Sequence, residues 1–466
     1  MKRIVMLASW LLILALLAAP TGAAAGAVNS PADLTFQKLW IYSANNATGV
    51  SLAMDSSGTL QAGFTAYSPS SGKWPAYYAA CSANCSLAAS WTTAIVGDVG
   101  AFGGDVRLAV TSTGHPRLMW FSQTSAGGSG SFNYAECSSA CTSASQWSKV
   151  QLNSDLLAPE NSRYFALNRN DSPRFVYKDI HPGSSTYFDI YYASCSSSCT
   201  TATNWSKLLI SSQYQPVEFS MALDASGGAH LAFRDALVTP NRLVYAGCAA
   251  NCTSSSSSWS AVVLPGKLGS GEAISLALDA QGHTRLAVYF GYLGSSYAYS
   301  DRLSYWFCDS TCSSASSWGN YYSFLPADYG KTVDLAIDAQ GLPHLAFNVD
   351  SAADSTYGLG YAACSGSCQS PSAAWQGQLV ESTDDLDASN PVTVAPGCSL
   401  SAWMEVGLYP SIVLDASGSP QIGYDAAHYQ GGSCSIHADI NLVRLAITKS
   451  GTNPLQHKEF IPKVVK

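Results

Sequence analysis

The sequence predicts an all-β protein, a seven-bladed β-propeller of four-stranded blades that is closed by the N-terminal strand pairing with the last blade. Three observations predict it. A repeat occurs seven times along the 466-residue chain, with steps of 55–59 residues between the first six copies and 77 residues before the last. Within each repeat, apolar residues alternate with small ones at the period of two that is typical of β-strands. The seventh repeat lacks one element, and a segment before the first repeat can supply it.

The first motif of the repeat reads Ser-Leu-Ala-Leu-Asp-Ala-x-Gly-x-x-His/Arg-Leu-Ala-Phe. Its seven copies begin at Ser51, Arg107, Tyr164, Ser220, Ser275, Asp334 and Ser411. The Asp-x-x-Gly segment, such as Asp279–Gly282, favours a tight turn because Asp hydrogen-bonds the backbone ahead of it and Gly accepts a positive φ. Each copy therefore predicts two antiparallel strands joined by a hairpin.

The second motif, Tyr-x-x-Cys-x3-Cys followed by Trp, comes after the first six copies and predicts a third strand, a loop and a fourth strand. It is missing from the seventh repeat. The segment Phe36–Tyr42 reads as an unassigned strand and resembles Trp205–Ile210, a fourth strand. We expect it to complete the last blade, since a closed ring leaves no edge exposed at the ends of the array. An open solenoid is the alternative. No helical pattern occurs outside the N-terminal segment.

The 14 cysteines are expected to form seven disulfides, because an even count in an exported chain is typical of them. The predicted pairs are Cys81 with Cys85, Cys137 with Cys141, Cys195 with Cys199, Cys248 with Cys252, Cys308 with Cys312, Cys364 with Cys368 and Cys398 with Cys434. A metal site or a redox pair is the alternative. Six-fold repetition favours a structural staple, since either alternative needs fewer copies, and we expect no metal and no cofactor.

The N-terminus predicts export. A positive head, Met1–Arg3, precedes the apolar run Ile4–Ala19, and small residues follow, so residues 1–25 are interpreted as a signal peptide. The propeller is then assigned to residues 26–447 and a basic tail to 448–466. We expect a secreted or cell-surface protein with no transmembrane segment after cleavage.

The composition limits the partners. Charged residues make up 12%, and Asp+Glu outnumber Lys+Arg by 31 to 23, which argues against nucleic acid as a partner. Ser, Thr, Asn, Gly and Tyr must keep the surface soluble.

The repeats resemble exported bacterial seven-bladed propellers whose blades read Leu-Asp-x-x-Gly-x-Pro-His-x-x-Tyr and Leu-x-Tyr-Ala. The resemblance covers nearly all of the chain after the signal peptide. The sialidase-type Asp box has different spacing from the Asp-x-x-Gly turns here, so sialidase chemistry is not implied.

The hairpins are expected to place the Asp-x-x-Gly turns and the Cys loops at one end of the ring, called here the turn end. One repeated position at the start of the second strand carries hydrogen-bond donors with planar heads. These are Gln61, Arg117, Arg174, His230, Arg285, His344 and Gln421. We interpret them as structural, bonding the backbone near the turn of a neighbouring blade.

The opposite end varies from repeat to repeat, as expected where a scaffold carries a site. The links into the first strands carry Asp105, Arg107, Arg163, Glu218, Glu272, Lys331 and Asp334. The binding residues we select at this end are Arg107, Lys178, Asp179, Arg234, Asp235, Asp334, Asn348 and Asp425. Mixed charges beside aromatic loops suit sugars or peptides.

Three functions follow as hypotheses. We favour a binding module for glycans or surface proteins. The second is a carbohydrate-active hydrolase or lyase using the carboxylates Asp179, Asp235, Asp334 and Asp425. The third is a structural cell-surface component without a small-molecule site. No nucleophile-elbow, zinc-protease or P-loop motif occurs in the sequence.

Overall fold

A computed structural model gives the fold. It describes residues 34–42, 46–97, 105–123, 130–157, 163–184, 187–265, 274–290, 302–322, 329–351, 356–370, 373–390, 400–431 and 440–448. The predicted signal peptide and nearly all of the predicted tail lie outside these residues and stay predictions. In the described part of the chain, no helix has the length and apolar character needed to cross a membrane.

The described residues form 28 strands and one α-helix. The strands are β1 Phe36–Tyr42, β2 Ala47–Met54, β3 Leu60–Ala66, β4 Ala76–Cys81, β5 Thr92–Gly97, β6 Val106–Val110, β7 Pro116–Gln123, β8 Gly130–Glu136, β9 Ser148–Leu156, β10 Phe165–Leu167, β11 Pro173–Ile180, β12 Phe188–Ser194, β13 Ser206–Tyr214 and β14 Pro216–Leu223. They continue with β15 Ala229–Asp235, β16 Arg242–Cys248, β17 Ser260–Val263, β18 Ile274–Leu278, β19 Thr284–Phe290, β20 Arg302–Cys308, β21 Gly319–Tyr322, β22 Tyr329–Ile337, β23 Pro343–Ser351, β24 Thr356–Cys364, β25 Trp375–Ser382, β26 Leu400–Leu414, β27 Pro420–Gly431 and β28 Ile440–Thr448. The helix is α1, Thr383–Ser389.

These strands make seven antiparallel four-stranded sheets, which confirms the predicted propeller. Blades 1 to 6 are β2–β5, β6–β9, β10–β13, β14–β17, β18–β21 and β22–β25, and blade 7 has the order β1-β28-β27-β26. The N-terminal strand therefore closes the ring as predicted. Phe36 pairs with Thr448 and Leu39 with Leu445, so β28 runs one residue beyond the boundary assigned from sequence.

The hairpin turns form as the motif predicts. In blade 1 the Asp55 carboxylate accepts the backbone N–H groups of Ser57 and Thr59, both at 2.9 Å, and Gly58 has a φ of +84°. In blade 3, Asp171 occupies the glycine position with a φ of +59°, a conformation that Asp tolerates better than most residues. The turns thus satisfy their own polar groups.

The Cys loops of blades 1 to 6 each carry the predicted local disulfide, with Cα atoms 5.6–5.9 Å apart. The six confirmed pairs are Cys81 with Cys85, Cys137 with Cys141, Cys195 with Cys199, Cys248 with Cys252, Cys308 with Cys312, and Cys364 with Cys368. The seventh predicted pair, Cys398 with Cys434, lies outside the described residues and stays a prediction. No free cysteine occurs in the part of the chain that the structure describes.

Five of these six loops are also bonded to the tryptophan that follows them. In five blades the Trp donates its indole N–H to the carbonyl of the second cysteine, as Trp205 does to Cys199 at 2.7 Å. Disulfide and indole together therefore fix the path of the chain between the third and fourth strands.

The tryptophans that follow the Cys loops of blades 2 to 6 also join neighbouring blades. Each packs on the third-strand Tyr of the preceding blade with ring centroids 5.1–5.6 Å apart. The pairs are Tyr78 with Trp147, Tyr134 with Trp205, Tyr192 with Trp259, Tyr245 with Trp318 and Tyr305 with Trp375. Blade 7 has no such Trp, and Phe36 of β1 packs on Tyr361 of blade 6 at 6.0 Å instead. The closing strand therefore takes over the contact that the Trp makes elsewhere.

A buried ion pair stabilises the closure of the ring between blade 6, blade 7 and the N-terminal strand. The guanidinium of Arg444, in β28, donates to both carboxylate oxygens of Glu381 in blade 6, at 2.8 and 2.7 Å. It also stacks over the ring of Trp40 in the closing strand, 3.9 Å from the centroid. The Trp40 indole donates to Asn390, beside α1. One cation thus links blade 6, blade 7 and the N-terminal strand.

The expectation of no helix beyond the N-terminal segment is wrong for α1. This seven-residue helix begins with a capping box between Ser382 and Asp385, and it buries Thr383 and Leu386. Two turns are too short to set up a recognisable helical period, and the cap was the only available signal.

The hydrogen-bond donors at the repeated position that starts each second strand are structural, as predicted. Most of their bonds, however, stay within their own blade. Gln61 alone behaves as predicted, donating to the carbonyl of Gly114 in the turn of blade 2 at 3.1 Å. Arg174 donates instead to the carbonyl of Cys195 in its own blade. Arg285 pairs with Asp279 of its turn and Asp309 of its Cys loop, both at 2.7 Å. That pair also shows that turns and Cys loops share one end of the ring.

Candidate functional site

A pocket of about 240 Å³ opens at the centre of the ring. Its walls come from the first strands of blades 1, 2, 3, 4, 6 and 7, so it lies on the propeller axis. The polar and aromatic residues that line it are Ser51, Arg107, Arg163, Phe165, Glu218, Thr332, Asp334, Tyr409 and Ser411. We call this the axial pocket.

One salt bridge spans the axis. The Arg163 side chain, from the start of blade 3, reaches Asp334 in blade 6 with a nitrogen–oxygen distance of 2.8 Å. It also donates to the carbonyl of Pro410 in blade 7 at 3.0 Å. Arg163 remains a quarter exposed and Asp334 11% exposed, so the pair forms part of the pocket wall and stays accessible to a ligand.

Asp334 is also part of the inter-blade bonding. Its carboxylate accepts the Ser275 hydroxyl of blade 5 and the backbone N–H of Ile412 in blade 7, both at 2.8 Å. Charge and backbone contacts therefore fix this carboxylate in one position.

The residue that opens the first motif makes such bonds around the ring. Ser51, Ser220, Ser275 and Ser411 each accept the backbone N–H of the next blade at 2.8–3.1 Å, from Leu108, Leu276, Leu335 and Leu52. We call this motif position the axial position. Blades 2, 3 and 6 place Arg107, Tyr164 and Asp334 there.

Arg107 belongs to a second charged group. It pairs with Asp105 at 2.7 Å, and its guanidinium lies 6.0 Å from the centroid of the Tyr164 ring. The Tyr164 hydroxyl donates to the carbonyl of Asp105 at 3.0 Å, which ties blade 3 to blade 2. Burial raises the pKa of Asp105 to about 6, although Arg107 and Arg163 oppose the rise.

Asp425, in the middle of β27, the second strand of blade 7, lies at the seam with blade 1. It accepts the hydroxyl of Thr48 and the backbone N–H of Gly49. Burial raises its pKa to about 7, against the effect of these hydrogen bonds, and the charge of Asp105 adds to the rise. Two carboxyl groups near the axis therefore hold protons more tightly than an ordinary aspartate.

Tyr409 is the most exposed large side chain of the pocket wall, at 38%. Its φ is +47°, a conformation that costs a non-glycine residue energy and is often found at functional sites. Register shifts between Val406 and Ser411 bend β26 at this point. The Tyr409 N–H donates to the hydroxyl of Thr332, which in turn donates to Asn348. The strained backbone is thus held by a neighbouring blade.

The structure brings four of the eight predicted binding residues to this region. Arg107 and Asp334 line the pocket, Asn348 supports it through Thr332, and Asp425 contacts the blade 1 strand that forms its wall. Among the other link residues, the side chains of Glu272 and Lys331 lie outside the described part.

The other four selected residues do not line the pocket. Lys178 is buried and donates to the carbonyl of Pro216 at 3.2 Å. Asp179 is half-buried and accepts the backbone N–H of Ile180. Arg234 is buried, and the fully buried Asp235 pairs with Arg242.

The roles of Tyr409 and of the serines at the axial position were not predicted from the sequence. The serines could have been found, because the first motif residue repeats in four blades. The bend at Tyr409 had one weak signal, a Gly and a Pro placed close together in an otherwise regular strand. Among the described residues, no group of three or more His, Cys, Asp or Glu is placed to hold a metal ion.

Comparisons with known proteins give no match in sequence and distant likenesses in structure. No protein-family model matches it, and neither does any curated protein. A Dyadobacter fermentans protein of unknown function is similar at 10% identity and a TM-score of 0.44, over 68% of this chain and 95% of its own. The Fusarium graminearum GH93 alpha-L-arabinofuranosidase is similar at 10% identity and a TM-score of 0.40, over 68% and 92%.

The NanB sialidase of Streptococcus pneumoniae is similar at 11% identity and a TM-score of 0.41, over 88% of this chain and 70% of its own. Likenesses of this size say nothing about the ligand or activity of this chain. The functional proposal below is therefore based on the axial pocket alone.

Proposed function

We propose that this protein is an extracytoplasmic saccharide-binding propeller that holds one end of a glycan in the axial pocket. The observation that carries the proposal is the convergence of Arg107, Arg163, Glu218 and Asp334 with the strained Tyr409 on one pocket. Only 12% of the residues in the chain are charged, so four charged side chains around one pocket favour a binding role for that pocket. The positive φ of Tyr409 costs conformational energy, and strained residues of this kind are often found at binding sites.

The chemistry of the wall favours a sugar over a protein partner. Guanidinium groups donate and carboxylates accept, so a ring bearing several hydroxyls can bond to both. An exposed tyrosine offers an aromatic face to the C–H side of the same ring. A pocket of about 240 Å³ admits one or two sugar residues and is too small for a folded surface.

Export is part of the proposal. Six local disulfides in a described fold of this kind suit an oxidising compartment, as does the predicted signal peptide. A saccharide on a cell surface or in the surrounding medium is the ligand such a location offers.

A glycan array with the mature protein, residues 26–466, tests the proposal. We expect binding to a restricted set of glycans, weakened at least tenfold in Tyr409→Gly. That variant removes the aromatic face and relieves a positive φ, so it should be at least as stable as the parent. Tyr187→Gly, which removes an exposed tyrosine outside the pocket, is the matched control. An array without signal, or equal signals for parent and Tyr409→Gly, would refute the proposal.

Glycoside hydrolysis is a second candidate, favoured by one observation. Asp425, with a pKa of about 7, would be protonated often enough near neutral pH to serve as a general acid. Aryl glycosides incubated with the parent and with Asp425→Asn test it. Release of the aryl group that the substitution abolishes would support this candidate, and no release from any substrate would leave binding alone.

A further inference from the structure

A second cavity lies away from the axis, between blades 3 and 4, and also measures about 240 Å³. Blade 3 contributes Ile190 and the segment Ile210–Tyr214 of its outer strand, and blade 4 contributes Phe233, Ala246, Trp259, Ser260 and Ala261. No residue lines both this cavity and the axial pocket. We call it the inter-blade cleft.

Irregular outer strands account for the opening. β13 shifts register against β12 on both sides of Ile190, which pairs with Ser211. Such bulges bend an edge strand and re-aim its side chains. The facing outer strand of blade 4, β17, has only four residues and stops at Val263. The two outer strands therefore do not cover the core between the blades completely.

Aromatic rings form one side of the cleft. Trp259 packs on Tyr192 as its counterparts do, with centroids 5.2 Å apart. Four counterparts, Trp91, Trp147, Trp205 and Trp318, are buried at 6–8% exposure, whereas Trp259, like Trp375 of blade 6, is only half-buried. Tyr214 stands nearby with its ring edge-on to Phe233, 5.3 Å away. Part of an indole surface that is covered in blades 1, 2, 3 and 5 thus remains open here.

The other side is polar and uncharged. Ser211, Ser212 and Ser260 bring hydroxyls and Gln213 an amide, and Gln213 and Ser260 are exposed. No charged residue is among the described residues that line the cleft. A phosphate, a metal ion or an acidic peptide would find no compensating charge, whereas an uncharged ring with hydroxyls on its edge and C–H groups on its face matches both sides.

We propose that the inter-blade cleft is a second saccharide site, which takes one neutral sugar residue against Trp259. It does not depend on the axial pocket, and it would let one propeller hold two points of a polysaccharide. Its small area and open shape correspond to weak binding, with a dissociation constant on the order of 1 mM.

Saturation-transfer NMR with four neutral trisaccharides, maltotriose, cellotriose, chitotriose and arabinotriose, tests this site on the mature protein. We expect saturation transfer to at least one of them, and quenching or a shift of the tryptophan fluorescence. Ala261→Arg should abolish the transfer, because Ala261 is exposed and an arginine there would fill the cleft. Gln213→Ala should weaken it several-fold.

The matched control is Asn320→Arg, which introduces an arginine at the corresponding position of blade 5, outside the cleft. Tyr409→Gly separates the two sites, since it acts on the axial pocket alone. Saturation transfer that survives Ala261→Arg and is lost in Tyr409→Gly would assign all binding to the axial pocket and overturn the cleft proposal. Transfer to none of the four trisaccharides would overturn it as well.

Discussion

Three carboxylates at the turn end and two near the axial pocket have pKa values shifted in opposite directions. At the turn end, burial tends to raise the pKa of Asp55, Asp224 and Asp338, but hydrogen bonds from the turn and from neighbouring side chains outweigh it and lower each pKa. Near the axial pocket, burial prevails and raises the pKa of Asp105 to about 6 and that of Asp425 to about 7. Hydrogen bonds thus stabilise the ionised carboxylates of the turn end, whereas the two carboxyl groups near the axial pocket keep their protons to a higher pH.

The axial position shows the same contrast within one layer of the fold. Serine bonds the next blade in four repeats, and the charge of the pocket enters where the repeat is broken, at Arg107 and Asp334. Repetition therefore marks the scaffold, and departures from it mark the candidate site. Four predictions test this division, from the largest expected effect to the smallest.

The first concerns pH. The folded pKa of Asp425 is raised from the ordinary 3.8 to about 7. Its contribution to stability is therefore fully present below pH 3.8 and is lost as the pH rises through 7. The rise corresponds to at most about 4 kcal/mol. Urea denaturation of Asp425→Asn between pH 4 and 8 should show a flatter profile than the parent. Equal profiles would show that Asp425 is not the group responsible.

The second concerns Asp334. Asp334→Ala removes the Arg163 salt bridge and the bond to Ile412, and should lower the free energy of unfolding by about 3 kcal/mol. Asp334→Ser also loses the salt bridge but keeps an acceptor for the N–H of Ile412, so it should cost about 1 kcal/mol less than Asp334→Ala and still lose glycan binding. Denaturation and array binding measured together check this. Equal destabilisation by Ala and Ser would show that the axial position is not interchangeable between blades.

The third concerns the turn end. Replacing Cys137 and Cys141 by serine opens a five-residue ring and should lower the free energy of unfolding by about 2 kcal/mol in the chain-entropy model. Glycan binding should not change, because the Cys loops lie away from the pocket. A folded variant that no longer binds would contradict the division into two ends.

The fourth concerns a single axial serine. Ser51→Ala leaves the N–H of Leu108 without its acceptor and should cost about 1 kcal/mol. Thermal denaturation can resolve this loss. A change near zero would mean that water replaces the hydroxyl.

Repetition explains how much of the fold could be predicted from the sequence. Phe36 could be aligned with Trp205 because six other fourth strands were available for comparison, and the structure gives both residues the same contact. For the axial pocket, the sequence predicted only that a site lies at the end of the ring opposite the turn end. Nothing in the sequence shows that Arg163 crosses to Asp334, since the distance across a ring depends on all seven blades at once.

Features that occur once were the hardest to predict. Helix α1 and the bend at Tyr409 both lie around the long insertion before the last repeat, where no other copy exists for comparison. Lys178 and Asp235 were selected for their charge, and each is instead satisfied by a partner within the scaffold. Charge at a loop-rich end is thus a weaker guide than a break in the repeat.

Hydrogen–deuterium exchange of the mature protein, with and without the glycan that gives the strongest array signal, tests the central claim most directly. We predict slower exchange in residues 407–412 and 163–167, which line the axial pocket, and unchanged exchange in the Asp-x-x-Gly turns and Cys loops. Protection confined to the turn end would contradict the account.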